Sequence, residues 1–258
     1  MNLQGKTVGW KWLVVLIGLV SFAMTPVSGQ DQNSSAKTRH SDKPAIRIIT
    51  LGDSITKGVR PGVTASQTFA SLLNEKANQK GHHVEVINVG IGGERTDQAL
   101  LRLDRDVISK KPQIVTVMYG ANDSYVDIGK KQMRITESAF RENLDQIVQK
   151  LRSANIRVIL MTEPRWGSKA KLNGLGESPN LKMEPFMQVI REKAKADSLP
   201  LVDHYQLWTE FEAGGGDIGK LTTDQLHPNP QGHQSMADSI WPVLEQEMQK
   251  VPSLNHDQ

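Results

Sequence analysis

The chain has 258 residues, 38% of them hydrophobic and 23% charged, which is enough for one sizeable core and too long for a bare binding module. The net charge of +3 includes Lys6 and Lys11, and residues 1–30 contain no acid, so the remainder holds 29 basic against 28 acidic residues and carries no signature of nucleic-acid binding. The lack of cysteine excludes disulfides, thiolate metal sites, a cysteine nucleophile and an acylated-cysteine anchor.

The amino end reads as a secretory signal. Lys6 and Lys11 precede an apolar run over 12–24, whose 13 residues fall short of the roughly 20 that a spanning helix needs. Small residues at Val27-Ser28-Gly29 place cleavage after Gly29, with an uncleaved membrane anchor as the alternative. Residues 30–44 are polar with nothing to bury and are expected to be a disordered linker. This organisation predicts a secreted or periplasmic protein with a signal peptide over 1–29, a catalytic domain over 45–250 and a flexible tail over 251–258.

From position 45 strand-like and helix-like runs alternate. Residues 46–51 are aliphatic and β-branched and predict a buried strand that runs into a tight turn, with Gly52 supplying unusual backbone angles and Ser54 standing at the strand's carboxyl end. Phe69, Leu72, Leu73 and Ala77 fall at helical spacing, closed by Gly81, and Val84, Val86, Ile87 and Val89 predict the second strand. Leu100, Leu103, Val107 and Ile108 form the next helical face, which Pro112 ends before a third strand over 114–118. Phe140, Leu144, Ile147, Val148 and Leu151 give the clearest amphipathic stripe, followed by a fourth strand over 156–161. After Glu163-Pro164 a long irregular stretch contains Trp166, Gly174, Gly176 and Pro179. Met183, Phe186, Met187, Ile190 and Ala194 restore helix, Leu201-Val202 is a short fifth strand, and Gly214-Gly215-Gly216 breaks whatever helix follows it. Pro230 opens a last helix through Met236, Ile240 and Leu244, with a kink expected at Pro242. This alternation implies a parallel sheet covered by helices on both faces.

In such a sheet the loops after the first three strands emerge on one edge, where open α/β sheets place their ligands. They carry Gly52-Asp53-Ser54, Asn88-Val89-Gly90-Ile91-Gly92-Gly93 and Gly120-Ala121-Asn122-Asp123. A fourth polar cluster, Asp224-Gln225-Leu226-His227-Pro228, sets a carboxylate three residues before an imidazole. A serine hydroxyl needs a base to take its proton, and that base needs a third group to hold its tautomer, so Asp224 and His227 have the right types. Each cluster also has an ordinary reading as turn chemistry, and Asp53 and Asp123 have one as acceptors for loop backbone. Their joint occurrence, in this order, favours a site.

These four blocks resemble those of the SGNH hydrolase superfamily, the GDSL-type esterases and lipases, and the resemblance covers about 45–250. It implies an α/β fold, a three-layer α/β/α sandwich of flavodoxin-like type with a five-stranded parallel sheet in the order 2-1-3-4-5. It also implies a carboxylic ester hydrolase in which Ser54 is the nucleophile, His227 the base and Asp224 its orienting group. The oxyanion hole would be formed by the N–H groups of Ser54 and Gly93 and by the Asn122 amide, with Gly90 and Gly92 as the alternative candidates for the glycine donor. The first block has Ile55 where the family's nickname has leucine, an ordinary apolar exchange. His233 is read as a helix-start residue rather than a second base.

No cofactor and no metal are implied, since the histidines at 40, 82, 83, 204 and 256 lack a paired ligand spacing. The expected partner is a small-molecule or glycan ester, with no nucleic acid and no stable membrane insertion after signal cleavage. Compartment and resemblance together predict removal of acetyl or other short acyl groups. A lysophospholipase or thioesterase is the first alternative, and a non-catalytic envelope-binding protein on the same scaffold is the second. Trp166 is read either as a stacking surface for a sugar or wall of the acyl pocket, or as a cap on the core beneath its loop.

Overall fold

The computed structural model describes residues 46–252, so the predicted signal peptide 1–29, the linker 30–44 and most of the tail 251–258 lie outside the described residues. Five strands, β1 (Ile46–Gly52), β2 (Val84–Asn88), β3 (Ile114–Met118), β4 (Arg157–Met161) and β5 (Leu201–Val202), form one sheet in the order β2-β1-β3-β4-β5. Every pairing is parallel, with Ile49 opposite Ile87 on one side of β1 and Val115 on the other. This is the architecture expected from the sequence. The chain crosses from β2 back over β1 to β3, so the order reverses beside β1 and opens a crevice at the carboxyl ends of β1 and β3.

The strands read as continuous apolar runs because both faces are covered. Alternate residues go to opposite layers. Ile49, Leu51, Val115, Val117, Val158 and Leu160 face one cluster, with Leu103 of α3 (Thr96–Asp106), Phe140 and Leu144 of α4 (Glu137–Ser153) and Phe186 of α5 (Asn180–Ala196). Ile48, Ile114, Met118, Ile159 and Met161 face the other, with Phe69 and Leu73 of α2 (Phe69–Gln79) and Met236, Ile240 and Leu244 of α7 (Pro230–Gln249). Phe140 and Phe186 join α4 to α5 with ring centroids 4.9 Å apart at 55°, a tilted pair of the kind worth about 0.5–1.5 kcal/mol beyond burial.

One local feature differs from the sequence expectation: Ser54 begins a short helix, α1 (Ser54–Lys57), rather than a simple turn. A further helix, α6 (His204–Ala213), follows β5 and ends at the glycine triplet, as expected. Asp203 caps α6 by accepting the Gln206 N–H. Helix α7 runs through Pro242 as one element to Gln249. Among the described residues no helix is long and apolar enough to cross a membrane.

Candidate active site

Strand β1 delivers the serine. Gly52 ends the strand, and a Cβ there would meet Thr56 Oγ1 at 2.1 Å and the Met118 carbonyl oxygen at 2.6 Å. Its φ is not among the positive ones, so the sequence argument from special backbone angles is corrected: glycine is needed for close approach of α1 and β3. Asp53 then caps α1, its Oδ1 accepting the Ile55 N–H at 2.8 Å. Ser54 follows as the first helical residue, half-buried, with Oγ 2.9 Å from His227 Nε2.

The histidine is held by its own loop. Asp224 Oδ1 accepts the backbone N–H groups of Leu226 at 3.3 Å and His227 at 2.9 Å, while its Oδ2 lies 2.8 Å from His227 Nδ1. One carboxylate therefore fixes both the turn and the ring, which is why a spacing of three residues suffices. Gln225 takes a positive φ of 73° inside this turn. Asn229 then starts α7 by accepting the Gly232 N–H at 3.0 Å, with Pro230 at its first position.

Burial lowers the His227 pKa below its ordinary value, against the opposing pull of Asp224 and with the help of Arg60. Burial works against ionisation of Asp224, yet the His227 N–H, the His227 ring and Arg60 together bring its pKa below the usual carboxylate value. The ring is thus neutral at neutral pH, with Nδ1–H directed at Asp224 and Nε2 free to accept from Ser54. That is the state a general base requires.

The loops that carry the predicted oxyanion donors adjoin Ser54. A Cβ on Gly92 would stand 3.9 Å from Ser54 Cβ, so this backbone passes beside Ser54, and Gly93 next to it turns with φ 77°. Among the described residues the Gly93 N–H makes no backbone hydrogen bond. Gly90 serves packing instead, since its Cβ would strike the Lys57 nitrogen at 2.3 Å. Asn122 donates from Nδ2 to Asp53 Oδ2 at 2.6 Å and accepts from Arg134 Nη1 at 3.2 Å through Oδ1. These two partners fix which way the amide points and leave one N–H of Nδ2 uncommitted.

Asp53 and Asp123 do more than accept from loop backbone. Asp53 holds the Asn122 side chain, and Asp123 Oδ1 accepts both the backbone N–H of Thr96 at 2.9 Å and its hydroxyl at 2.6 Å, anchoring the start of α3. Burial pushes Asp53 up to about 7 and Asp123 up to about 6. His233 is buried, accepts the Phe69 N–H through Nδ1 at 3.3 Å, and is lowered to about 4 by burial, so it ties α7 to α2 as a neutral ring. Among the described residues no group of three or more metal-ligating side chains is placed to hold an ion.

Three contributors to the site carry no sequence signature that singled them out. Arg60 Nη2 pairs with Asp224 Oδ2, Arg134 holds Asn122 while pairing with Asp127 at 2.6 Å, and Glu163, just past β4, is wholly buried. Glu163 had one usable signal, an ionisable residue directly following the apolar run of β4. Trp166 is half-buried and packs against both apolar clusters. An amide clamp from Asn180 takes its N–H at 2.9 Å and gives to its carbonyl at 2.8 Å. Its ring stacks on Tyr125 with centroids 5.9 Å apart, and Arg134 lies 5.2 Å over Tyr125. A continuous wall thus runs from Asn122 through Arg134 and Tyr125 to Trp166. A cleft of about 590 Å³ lies at the amino end of β4, at the far edge of the sheet, and is lined by residues such as Arg152, Arg157 and Asp197, so it is separate from this chemistry.

Comparison with known proteins fits this geometry. The model of the GDSL-like Lipase/Acylhydrolase family matches residues 50–235. The isoamyl acetate-hydrolyzing esterase 1 homolog of Rattus norvegicus is 29% identical over 230 residues, covering 82% of this chain and 86% of that protein. The thioesterase 1/protease 1/lysophospholipase L1 of Escherichia coli K12 is 28% identical over 210 residues, covering 81% and 86%. Among solved structures, an acetyl xylan esterase, AlAXEase, superposes with a TM-score of 0.66 at 29% identity, covering 77% of this chain and all of that one. The chain belongs to the GDSL-like lipase/acylhydrolase family and is a carboxylic ester hydrolase.

Proposed function

We propose that the protein is a secreted or periplasmic serine esterase that removes short acyl groups, acetyl foremost, from carbohydrate or small-molecule esters. The observation that carries the mechanism is the unbroken run of hydrogen bonds from Ser54 Oγ to His227 Nε2 at 2.9 Å and from His227 Nδ1 to Asp224 Oδ2 at 2.8 Å. In this reading Ser54 Oγ attacks the ester carbonyl carbon while His227 Nε2 takes its proton. The oxyanion of the tetrahedral intermediate is met by the N–H groups of Ser54 and Gly93 and by Asn122 Nδ2. The C–O bond to the alcohol then breaks, His227 returns the proton to the leaving oxygen, and water repeats the sequence on the acyl-enzyme.

The preference for short acyl groups is supported by the likeness to the acetyl xylan esterase and to the esterase named for isoamyl acetate. Export is supported by the predicted signal in residues 1–29. A lysophospholipase or thioesterase reading draws on the Escherichia coli relative and on Ile91, 45% exposed in the loop beside Ser54, where a longer chain could lie. A series of p-nitrophenyl esters and acetylated oligosaccharides separates the two: kcat/KM falling as the acyl chain lengthens fits the first, and kcat/KM rising with length fits the second. Ser54→Ala should abolish both turnover and covalent fluorophosphonate labelling in a folded protein. Labelling that survives in that variant removes Ser54 from the mechanism.

A further inference from the structure

Three carboxyl groups converge behind the nucleophile: Asp53 after β1, Asp123 after β3 and Glu163 after β4, exposed by 1%, 0% and 0%. Their partners differ. Asp53 has both oxygens in use, Oδ1 on the Ile55 N–H at 2.8 Å and Oδ2 on Asn122 Nδ2 at 2.6 Å. Asp123 has two donors from Thr96 on Oδ1 and none on Oδ2. Neither oxygen of Glu163 receives a hydrogen bond from any N–H or O–H group among the described residues, and its hydrogen-bonding neighbour is the Asp53 carboxyl.

Two carboxyl groups in hydrogen-bonding contact need a proton between them, because two carboxylates are acceptors only and repel. The proton belongs to the group with fewer donors aimed at it. Two N–H groups stabilise a charge on Asp53, and none stabilises one on Glu163. The surrounding charges agree. Asp53 and Asp123 face Glu163, Glu94 and Asp123 face Asp53, Arg102 is committed to Glu94, and Arg134 is committed to Asp127. Burial, together with these neighbouring acids, holds Glu163 well above the usual carboxylate range.

We propose that Glu163 is a positioning residue of the oxyanion hole: it stays protonated and donates that proton to Asp53, which is thereby held as an aligned acceptor for the Asn122 amide. The chain of contacts is Glu163 to Asp53 to Asn122, and its end is the N–H that would meet the oxyanion. The proposal rests on the reading of Asn122 as an oxyanion donor. Without the Glu163 proton, Asp53 either takes up a proton itself and weakens its hold on Asn122, or stands as a bare anion beside a second one.

The test compares wild type with Glu163→Gln, Glu163→Met, Asn122→Ala and the Asn122→Ala/Glu163→Met double variant, using kcat, KM and thermal melts. Gln supplies a neutral donor of the same shape, so Glu163→Gln should keep kcat within about twofold, whereas Glu163→Met should lose roughly tenfold in kcat at unchanged KM. The double variant should be no slower than Asn122→Ala alone, because Glu163 acts only through that amide. Losses that add in the double variant, or a Glu163→Gln as slow as Glu163→Met, overturn the proposal alone. An Asn122→Ala with normal kcat overturns the oxyanion reading and the proposal with it.

Melting temperature against pH gives a second readout, which tests whether Glu163 holds its proton in the folded state. The folded state keeps the Glu163 proton where the unfolded chain, with its ordinary value of 4.5, has lost it. Asp53 and Asp123 make stability fall with pH in both proteins, but Glu163 adds to that fall in wild type alone, so the gap between wild type and Glu163→Gln should widen from about pH 5 to pH 8. A gap that stays constant over that range shows Glu163 to be ionised and overturns the proposal.

Discussion

Arg60 Nη2 lies 2.8 Å from Asp224 Oδ2, the same oxygen that faces His227 Nδ1 at 2.8 Å. The pair joins the loop after the Ser54 helix to the turn that carries the histidine. As a partly exposed ion pair it contributes little to stability, within about 1 kcal/mol. Its greater effect is on titration, because the guanidinium draws on the carboxylate charge that would otherwise favour imidazolium.

Arg60→Met should therefore raise the His227 pKa, since Arg60 is one of the influences that lower it. If His227 is the proposed base, turnover needs it neutral, so the acid limb of the kcat/KM profile should move to higher pH, with little change on the plateau. A pH–rate series on both proteins checks this. An acid limb that stays in place, or moves to lower pH, removes Arg60 from control of the base.

Asp224→Asn isolates the ring-orienting role. The asparagine oxygen can still accept the backbone N–H of His227, so the turn should survive, but the ring loses a charged acceptor at Nδ1 and can adopt the wrong tautomer. Turnover should fall by up to about 10⁴-fold with an unchanged circular dichroism spectrum. Near-normal turnover would leave a working pair of Ser54 and His227 alone.

How much of this could be read from the sequence follows the range of the contacts. Asp224 and His227 meet within one turn, and Ser54, Gly93 and Asn122 each sit just past a strand that periodicity located, so these positions were legible. The strand order was legible as well, through the family resemblance carried by the same blocks. Arg60 reaches Asp224 across 164 residues and Asn122 reaches Asp53 across 69, and a single charged residue in a loop carries no periodicity to announce such a partner. Glu163 had only its place after an apolar strand to mark it, because its importance comes from burial beside two other acids, which only the closed sheet creates. Gly52 was located correctly but for a different cause, since the crowding by Thr56 and Met118 exists only after β1, α1 and β3 pack.

Trp166 separates two roles that its position leaves overlapping. Its backbone is clamped by Asn180 and one part of the ring packs on both apolar clusters, while its stack with Tyr125 continues the wall that begins at Asn122. If that wall receives substrate, Trp166→Ala should raise KM or change preference between acetylated sugars and simple esters, with a modest stability loss. If it only covers the core, the loss should approach the roughly 3–5 kcal/mol seen for large aromatic truncations, with preference unchanged. Denaturant melts beside a two-substrate comparison decide between them.

Asn122 is where the geometry makes its most specific demand. One Nδ2 hydrogen is committed to Asp53 at 2.6 Å, Arg134 fixes the amide oxygen at 3.2 Å, and the other hydrogen is left for the point where Ser54 would generate an oxyanion. A donor of this kind acts mainly in the transition state, and removing one costs about 2.7–4 kcal/mol, or roughly 10²–10³ in kcat. Asn122→Ala should lose that much in kcat while KM changes far less. Asn122→Asp should be worse on two counts. Its carboxylate would repel the developing charge, and it would stand against Asp53 in a pocket already holding Glu163 and Asp123, so a lower melting temperature should accompany the lost turnover. A variant in which KM rises and kcat holds would instead make Asn122 a substrate-binding group, and the third donor would have to be sought at Gly92, whose backbone also passes beside Ser54.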